Sequence, residues 1–146
     1  RLEQLTTNNK QLTTNEIFTD YAHHPTEIKA TLEALREKYP KRQIISVFQP
    51  HQQDRLERLF KDFIHAFDRA DIAVLMPVYK VAGREHKSET DSFILAQKIK
   101  NHKQHVFYAK DFPSMIKTVK RYLTKSGIVV FMSAGDLDSQ VREFLL

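Results

Sequence analysis

The sequence predicts a doubly wound, Rossmann-like α/β domain with about six strands, a normal size for such a sheet. Three observations carry this reading. Ile44–Phe48, Ile72–Met76 and Ile128–Met132 are short, continuous apolar runs, too short for helices and patterned like strands buried on both faces. Between such runs lie segments with helical periodicity. In Asp54–Phe67, residues Leu56, Leu59, Phe60, Phe63, Ile64 and Phe67 fall on one face of a helix, as an amphipathic helix requires. The two patterns also alternate along the chain, which implies crossover connections and a mostly parallel sheet covered by helices on both faces.

The elements follow in order. Arg1–Thr7 and Glu16–Asp20 read as an antiparallel edge strand or N-terminal hairpin around the polar turn Asn8–Asn9–Lys10. A helix from Thr26 to Tyr39 places Ile28, Leu32 and Leu35 on one face. Pro25 sits in its first turn and Pro40 just beyond its end, the positions where proline costs a helix least. After the Ile44–Phe48 strand and the Asp54–Phe67 helix come strand Ile72–Met76, helix Ser92–Lys100, strand Val106–Ala109, a helix from Pro113 to Thr124, strand Ile128–Met132 and a terminal helix, Leu137–Leu146.

At 146 residues and 41% hydrophobic content, the chain suits one domain, 1–146, with one sizeable core. No apolar run approaches the roughly 20 residues that span a bilayer, and Arg1–Lys10 lacks the apolar centre of a signal peptide. There is no cysteine, so disulfides and thiolate metal sites are excluded. A cytoplasmic protein with no membrane partner is expected. The formal charge of +5 attracts phosphates and nucleotides. The basic residues are nonetheless interspersed with acids, and neither an aromatic RNA-binding motif nor zinc-finger spacing occurs, so nucleic acid is not an expected partner.

In a doubly wound sheet, ligands sit beyond the carboxyl ends of the strands. The segments that follow each strand are therefore the candidates: Asp20–Pro25, Gln49–Arg55, Pro77–Glu85, Lys110–Pro113 and Ser133–Asp136. The first is the richest. Asp20, Tyr21, His23 and His24 stand between a strand and a helix whose N-terminus offers unpaired N–H groups and the positive end of its dipole. Such a set suits a polyanion or a nucleotide. The plainer reading is that His24 or Thr26 only caps the helix and Tyr21 packs on it.

Asp-Tyr-Ala-His-His-Pro-Thr-Glu, residues 20–27, resembles the signature that opens the C-terminal domain of the Mur ligase family, in particular the UDP-N-acetylmuramate–L-alanine ligases. Phe48-Gln49-Pro50-His51, Val78-Tyr79 with Gly83-Arg84-Glu85, and Ser133-Ala134-Gly135-Asp136 are similar to later motifs of that family, in the same order and over nearly the whole chain. The resemblance implies a three-domain parent enzyme. Its first domain holds the UDP-sugar, its central domain holds ATP and Mg²⁺ on a phosphate-binding loop, and its third closes over both. It implies a reaction in which the carboxylate of UDP-N-acetylmuramate is phosphorylated and the amine of L-alanine then displaces phosphate. By the same resemblance Asp20 and His24 lie at the nucleotide, with Asp20 at the ATP ribose. Tyr21, His23, His51, Arg55 and Arg84 lie at the substrates, with His23 and His51 the candidates for a proton-handling role. Asp20 has acceptors for two ribose hydroxyls, Arg55 a forked donor for a carboxylate or phosphate, and the histidines titrate near neutrality.

Three positions depart from the family pattern. Thr19 replaces a frequent acid, Gln52 a frequent arginine and Ser133 a frequent glycine. The first two put substrate contacts in doubt, and the third is expected only to narrow a turn. The glycines Gly83, Gly127 and Gly135 are too far apart to write a P-loop, so the nucleotide cradle and the N-terminal and central domains are expected elsewhere. The isolated chain is then expected to be an inactive piece of a larger ligase, consistent with a start inside a strand and without Met. His65, His86, His102 and His105 lack paired ligand spacing, and no metal site is expected here. Lys80, Arg84 and Lys87 form a basic run that reads equally as a solvated charge cluster. Two alternatives stand beside the alanine-adding reading: a murein-peptide recycling ligase of similar build, and a free-standing flavodoxin-like binding module. A phosphoacceptor receiver is disfavoured because Gln49, not an aspartate, follows Phe48. The geometric expectation is that Asp20, Tyr21, His23, His51 and Arg55 line one open face at the sheet's carboxyl edge, with the helices after Pro25 and Gly135 aimed at it.

Overall fold

The computed structural model describes residues 1–79, 91–102 and 105–146. Six strands, β1 (Glu3–Leu5), β2 (Glu16–Asp20), β3 (Ile44–Gln49), β4 (Ile72–Leu75), β5 (Val106–Tyr108) and β6 (Ile128–Ser133), form one sheet in the order β1-β2-β6-β3-β4-β5. β1 runs antiparallel to β2, and every other pairing is parallel. The helices are α1 (Pro25–Lys38), α2 (Gln53–Arg58), α3 (Phe60–His65), α4 (Ser92–Lys100), α5 (Phe112–Tyr122) and α6 (Leu137–Leu145). This is the doubly wound sheet with an antiparallel edge that the sequence predicts.

The strand pattern explains the two layers. Alternate residues of a strand face opposite ways. In β6, Ile128, Val130 and Met132 join one core while Val129 and Phe131 join the other. α1, α2, α3 and α4 cover the first face through residues such as Leu32, Leu56, Phe63 and Leu95. α5 and α6 cover the second through Met115, Val119, Leu137 and Val141. Both faces of the central strands are therefore dry, which accounts for their unbroken apolar runs.

Two local expectations need correction. The link between β1 and β2 is not a tight turn at Asn8–Lys10. It contains a 3-10 turn, Lys10–Leu12, that carries Leu12 into the second core at 7% exposure. The helix expected over Asp54–Phe67 is also interrupted at Leu59, whose φ of −107° and ψ of 18° leave the α region. Pro50 and Tyr79 hold the start of this segment through the bond Tyr79 N–H to Pro50 O. Leu56, Phe63 and Phe67 all reach the core at 1% exposure or less. The bend lets the segment meet both demands.

The amino edge of the sheet is tied by polar contacts. Arg42, just before β3, pairs with Glu16 at the start of β2 and stacks its guanidinium on Tyr39. Arg36 bonds the Asp71 carboxylate at 2.9 Å, and Asp71 also accepts from Ile44 N–H at 2.8 Å. Arg142 of α6 holds Glu3 of β1 at 2.8 Å and Asp138 at 2.9 Å. The Arg36 and Arg42 contacts fix the frame from the side opposite the candidate site, whereas Glu3 pairs with Thr19 near the carboxyl end of β2.

Candidate functional site

The strand order decides where a ligand can sit. The chain leaves β2 and β3 into α1 and α2 on one face, but leaves β6, which lies between them, into α6 on the other. Loops that depart to opposite faces open a crevice at the carboxyl ends of the strands. The parallel register aligns Asp20 with Met132 and Met132 with Phe48. The loops after β2 and β3 therefore emerge level with one another and about 10 Å apart, two strand spacings. The loop after β6 lies between them.

The β2–α1 loop is largely self-bonded. Asp20 is 9% exposed. Its Oδ2 accepts from Thr31 Oγ1 of α1 at 2.7 Å, and its Oδ1 accepts from Ala22 N–H and from the amino group of Arg1, each at 3.0 Å. His24 caps α1: its Nδ1 accepts from Thr26 N–H at 3.2 Å, while Glu27 returns a carboxylate to His24 N–H at 3.2 Å, a capping-box exchange with histidine in place of the usual hydroxyl. His23 Nδ1 lies 2.9 Å from Tyr21 O and 3.7 Å from the Glu27 carboxylate. A carbonyl only accepts, so Nδ1 carries the proton, and the neutral ring keeps an acceptor lone pair on Nε2. The Tyr21 ring, 63% exposed, meets the His23 ring edge-on at 5.8 Å.

The β3–α2 loop presents His51 and Arg55, both half-buried. The His51 ring stacks face to face on Tyr79, with centroids 5.4 Å apart and planes 12° apart. Removal from water comes first, then the positive charge of Arg55 and the nearby imidazole of His23; together they hold the His51 pKa below the ordinary histidine value. The same effect reports proximity: Arg55 and His23, from two different loops, both act on this one imidazole. Tyr79 also touches the third loop, since a Cβ added at Gly135 would lie 3.0 Å from its Cγ and Cδ2. Ser133 Oγ accepts from Gly135 N–H at 2.9 Å, which tightens the turn as the sequence implies. α6 starts there, and its N-cap residue Asp136 makes no side-chain cap.

The arrangement thus collects one fixed cation (Arg55), one imidazole kept neutral (His51), one imidazole with a free acceptor nitrogen (His23) and an exposed phenol (Tyr21). These groups suit a small zwitterion or anion: the guanidinium for a carboxylate or phosphate, an acceptor nitrogen for an amine. Among the described residues no group of three or more His, Asp or Glu side chains is placed to hold a metal ion.

Tyr21, His23, His51 and Arg55 come together at the carboxyl edge as expected. Asp20 stands at the same edge but turns inward rather than lining the open face, because Thr31 and Ala22 occupy its oxygens. His24 likewise serves its own helix. Arg84, Lys80 and Lys87 lie outside the described residues. Sequence reasoning missed Tyr79 as the contact that joins the three loops. Its position immediately beyond an apolar run was the available signal. Large exposed side chains repeat the pattern: Tyr21, Phe93 and Tyr108 all stand at or beside carboxyl-edge segments.

Comparison with known proteins agrees with this geometry. The family model for the Mur ligase, glutamate ligase domain, matches residues 1–135. A UDP-N-acetylmuramate–L-alanine ligase of a Synechococcus strain is 41% identical over 122 residues, covering 84% of this chain and 25% of that protein. The chain thus spans about a quarter of the length of this relative. The fold is shared with a UDP-N-acetylmuramate-alanine ligase from Thermotoga maritima (TM-score 0.70, 23% identity, 89% of this chain and 26% of that one). It is also shared with a murein peptide ligase from Psychrobacter arcticus (TM-score 0.62, 18% identity, 90% and 27%). On the family match across nearly its whole length, the chain belongs to the Mur ligase family, as its glutamate ligase domain.

Proposed function

We propose that this chain is the third domain of an ATP-dependent ligase that joins L-alanine to UDP-N-acetylmuramate in peptidoglycan synthesis. The observation that carries the reading is the convergence of Tyr21 and His23 with His51 and Arg55 at the switch point beside β6, in a chain 41% identical to a protein of that name. In the parent, ATP with Mg²⁺ supplies the phosphoryl group that activates the muramate carboxylate, and the remaining domains hold both. The part we assign to this chain is to present and orient the amino acid.

Arg55 grips the alanine carboxylate through paired, charge-assisted bonds. His23 Nε2 faces the amino group and takes a proton from its ammonium form, leaving nitrogen with a lone pair to attack the activated carbonyl and expel phosphate. The lowered pKa of His51 keeps it neutral at pH 7, so it adds no second positive charge beside the ammonium. Held this way the amine attacks from a fixed position, and positioning of this kind provides much of the rate of a bimolecular reaction. Asp20 keeps Oδ2 lone-pair capacity beyond its Thr31 bond for one ribose hydroxyl, and otherwise anchors the loop. Tyr21 and the aromatic edge supply a surface for the other domains to close upon.

The test is phosphate release by the longer polypeptide that carries this chain, with ATP, Mg²⁺, UDP-N-acetylmuramate and L-alanine. Release that requires all four supports the reading. Release that requires a preformed murein tripeptide in place of L-alanine assigns the recycling ligase instead. No turnover with either acceptor, from folded protein, refutes both.

A further inference from the structure

Tyr79 occupies an unusual place: one side chain in contact with two other loops. It follows β4 directly, its N–H donates to Pro50 O at 2.7 Å, its ring lies flat on His51, and the backbone of Gly135 runs beside it. An imidazole on a short loop turns freely about two side-chain bonds. A flat aromatic surface against one face removes most of that freedom and keeps water from that side. Gly135 bears on the same contact from the β6 side. Any Cβ there would approach the Tyr79 ring to 3.0 Å, so the ring would have to give by a few tenths of an ångström.

We propose that Tyr79 is a positioning residue for the site, holding the His51 ring in its orientation at the crevice, and that Gly135 is glycine because this ring needs the space. The stack stands on geometry alone. Its importance for catalysis rests on the proposed function of His51.

Two measurements separate these layers. First, the imidazole signals of His51 are followed by NMR across pH in the 146-residue chain and in Tyr79→Phe, Tyr79→Ala and Gly135→Ala. Phenylalanine keeps a planar ring, so the His51 titration and its ring-current shifts stay as in the native chain. Alanine exposes the imidazole. The ring-current displacement disappears, and the titration moves up towards the ordinary histidine value, since loss of water contact is the main cause of its depression. Gly135→Ala displaces the ring and gives a change in the same direction. If Tyr79→Ala does not fold, Tyr79→Leu provides the arm without a planar ring. His51 signals that are identical in folded Tyr79→Ala (or Leu) and native protein overturn the proposal.

Second, in the longer ligase, Tyr79→Ala lowers kcat/KM for alanine several-fold, Tyr79→Phe restores most of it, and Tyr79→Ala has no further effect in a His51→Ala background. Such non-additivity is the mark of a residue acting through another. An additional loss in the His51→Ala background overturns action through His51. Moved NMR signals with unchanged kinetics keep the positioning role and instead overturn the assignment of His51 to the substrate face.

Discussion

Replacing Thr31 by valine tests whether Asp20 is an anchor. The two side chains are nearly isosteric, and their helix propensities are similar, so the change at this α1 position is essentially one hydroxyl for one methyl. Thr31 and Asp20 are each 9% exposed, and the bond between them is 2.7 Å long. A hydrogen bond to a charged group contributes roughly 1.5–3 kcal/mol. Burying the new methyl returns up to about 0.8 kcal/mol. Losing the bond also leaves a carboxylate oxygen facing an apolar group, which pushes the balance back towards the upper end. The expected net destabilisation is about 2 kcal/mol. With a urea m-value of about 2 kcal/mol/M, the midpoint falls by about 1 M with the slope unchanged. Thr31→Ser, which keeps the hydroxyl, costs about half as much, mainly the lost methyl. The assay is equilibrium urea unfolding of both variants and of each combined with Asp20→Asn. The Thr31→Val effect shrinks in the Asp20→Asn background, because the charged acceptor is already gone. A Thr31→Val loss below about 0.5 kcal/mol, within the range of ordinary surface changes, refutes the claim that this bond holds the loop.

In the longer ligase, Arg55→Ala lowers alanine-dependent kcat/KM at least about tenfold, the loss of a charge-assisted contact, while Arg55→Lys recovers only part of it. Unchanged steady-state kinetics remove Arg55 from the site. The isolated chain shows no alanine-dependent ATP hydrolysis; turnover near 1 s⁻¹ contradicts its assignment as one domain of a larger enzyme. Stability falls as pH drops below the ordinary histidine value of 6.5, because the unfolded chain takes up a proton there that folded His51 resists. It falls again below about 4.5, where unfolded Glu3 protonates while the folded carboxylate, bonded to Arg142, still resists. Urea melts between pH 7 and pH 5 check the first step, which flattens in Tyr79→Ala, and melts below pH 4.5 in Arg142→Ala check the second.

The layers of the fold were legible because dry strands and amphipathic helices write different periods. Ile44–Phe48 and Ile128–Met132 announced themselves as central strands, and Pro25 and Pro40 bracketed α1. What local pattern does not contain is strand order. Nothing in Ile128–Met132 says that it inserts between β2 and β3, yet that insertion sets the crevice. The Tyr79 contacts with His51 and Gly135 follow from the same order. The break at Leu59 was hidden for a related reason: every apolar position of Asp54–Phe67 fits one continuous helix, and only the fixed start at Pro50 shows that it must bend. Asp20 was misread in orientation for want of Thr31, 11 residues further on. A carboxylate between a strand and a helix looks equally available to a ligand or to the helix packed beside it. The motif resemblance pointed to segments that the fold gathers at one edge because it compares loops directly, but it could not say which side chains within them face out.

The two edges of the sheet divide the work of the chain. At the amino edge, polar groups are matched to one another. Arg42 pairs with Glu16, Arg36 with Asp71, Gln43 accepts from Thr124 and donates to Tyr122 O, and Asn15 bridges Thr124 and Gly127. At the carboxyl edge the matched groups, Asp20 with Thr31 and His24 with Glu27, lie beneath side chains that reach outward: Tyr21, His23, His51 and Arg55. This division has a physical basis. A site that must accept a charged ligand needs cations and lone pairs not fully satisfied by the protein, which costs stability locally. Bonds at the opposite edge offset that cost without crowding the site. Substitutions at Arg42 or Asn15 should therefore lower stability and leave the ligand contacts intact, whereas substitutions at His23 or Arg55 should change ligand contacts with little effect on unfolding. Thr31 and Tyr79 stand between the two classes, because each fixes the frame from which an outward group is presented. Their variants alone should couple a measurable change in local structure to a change at the site.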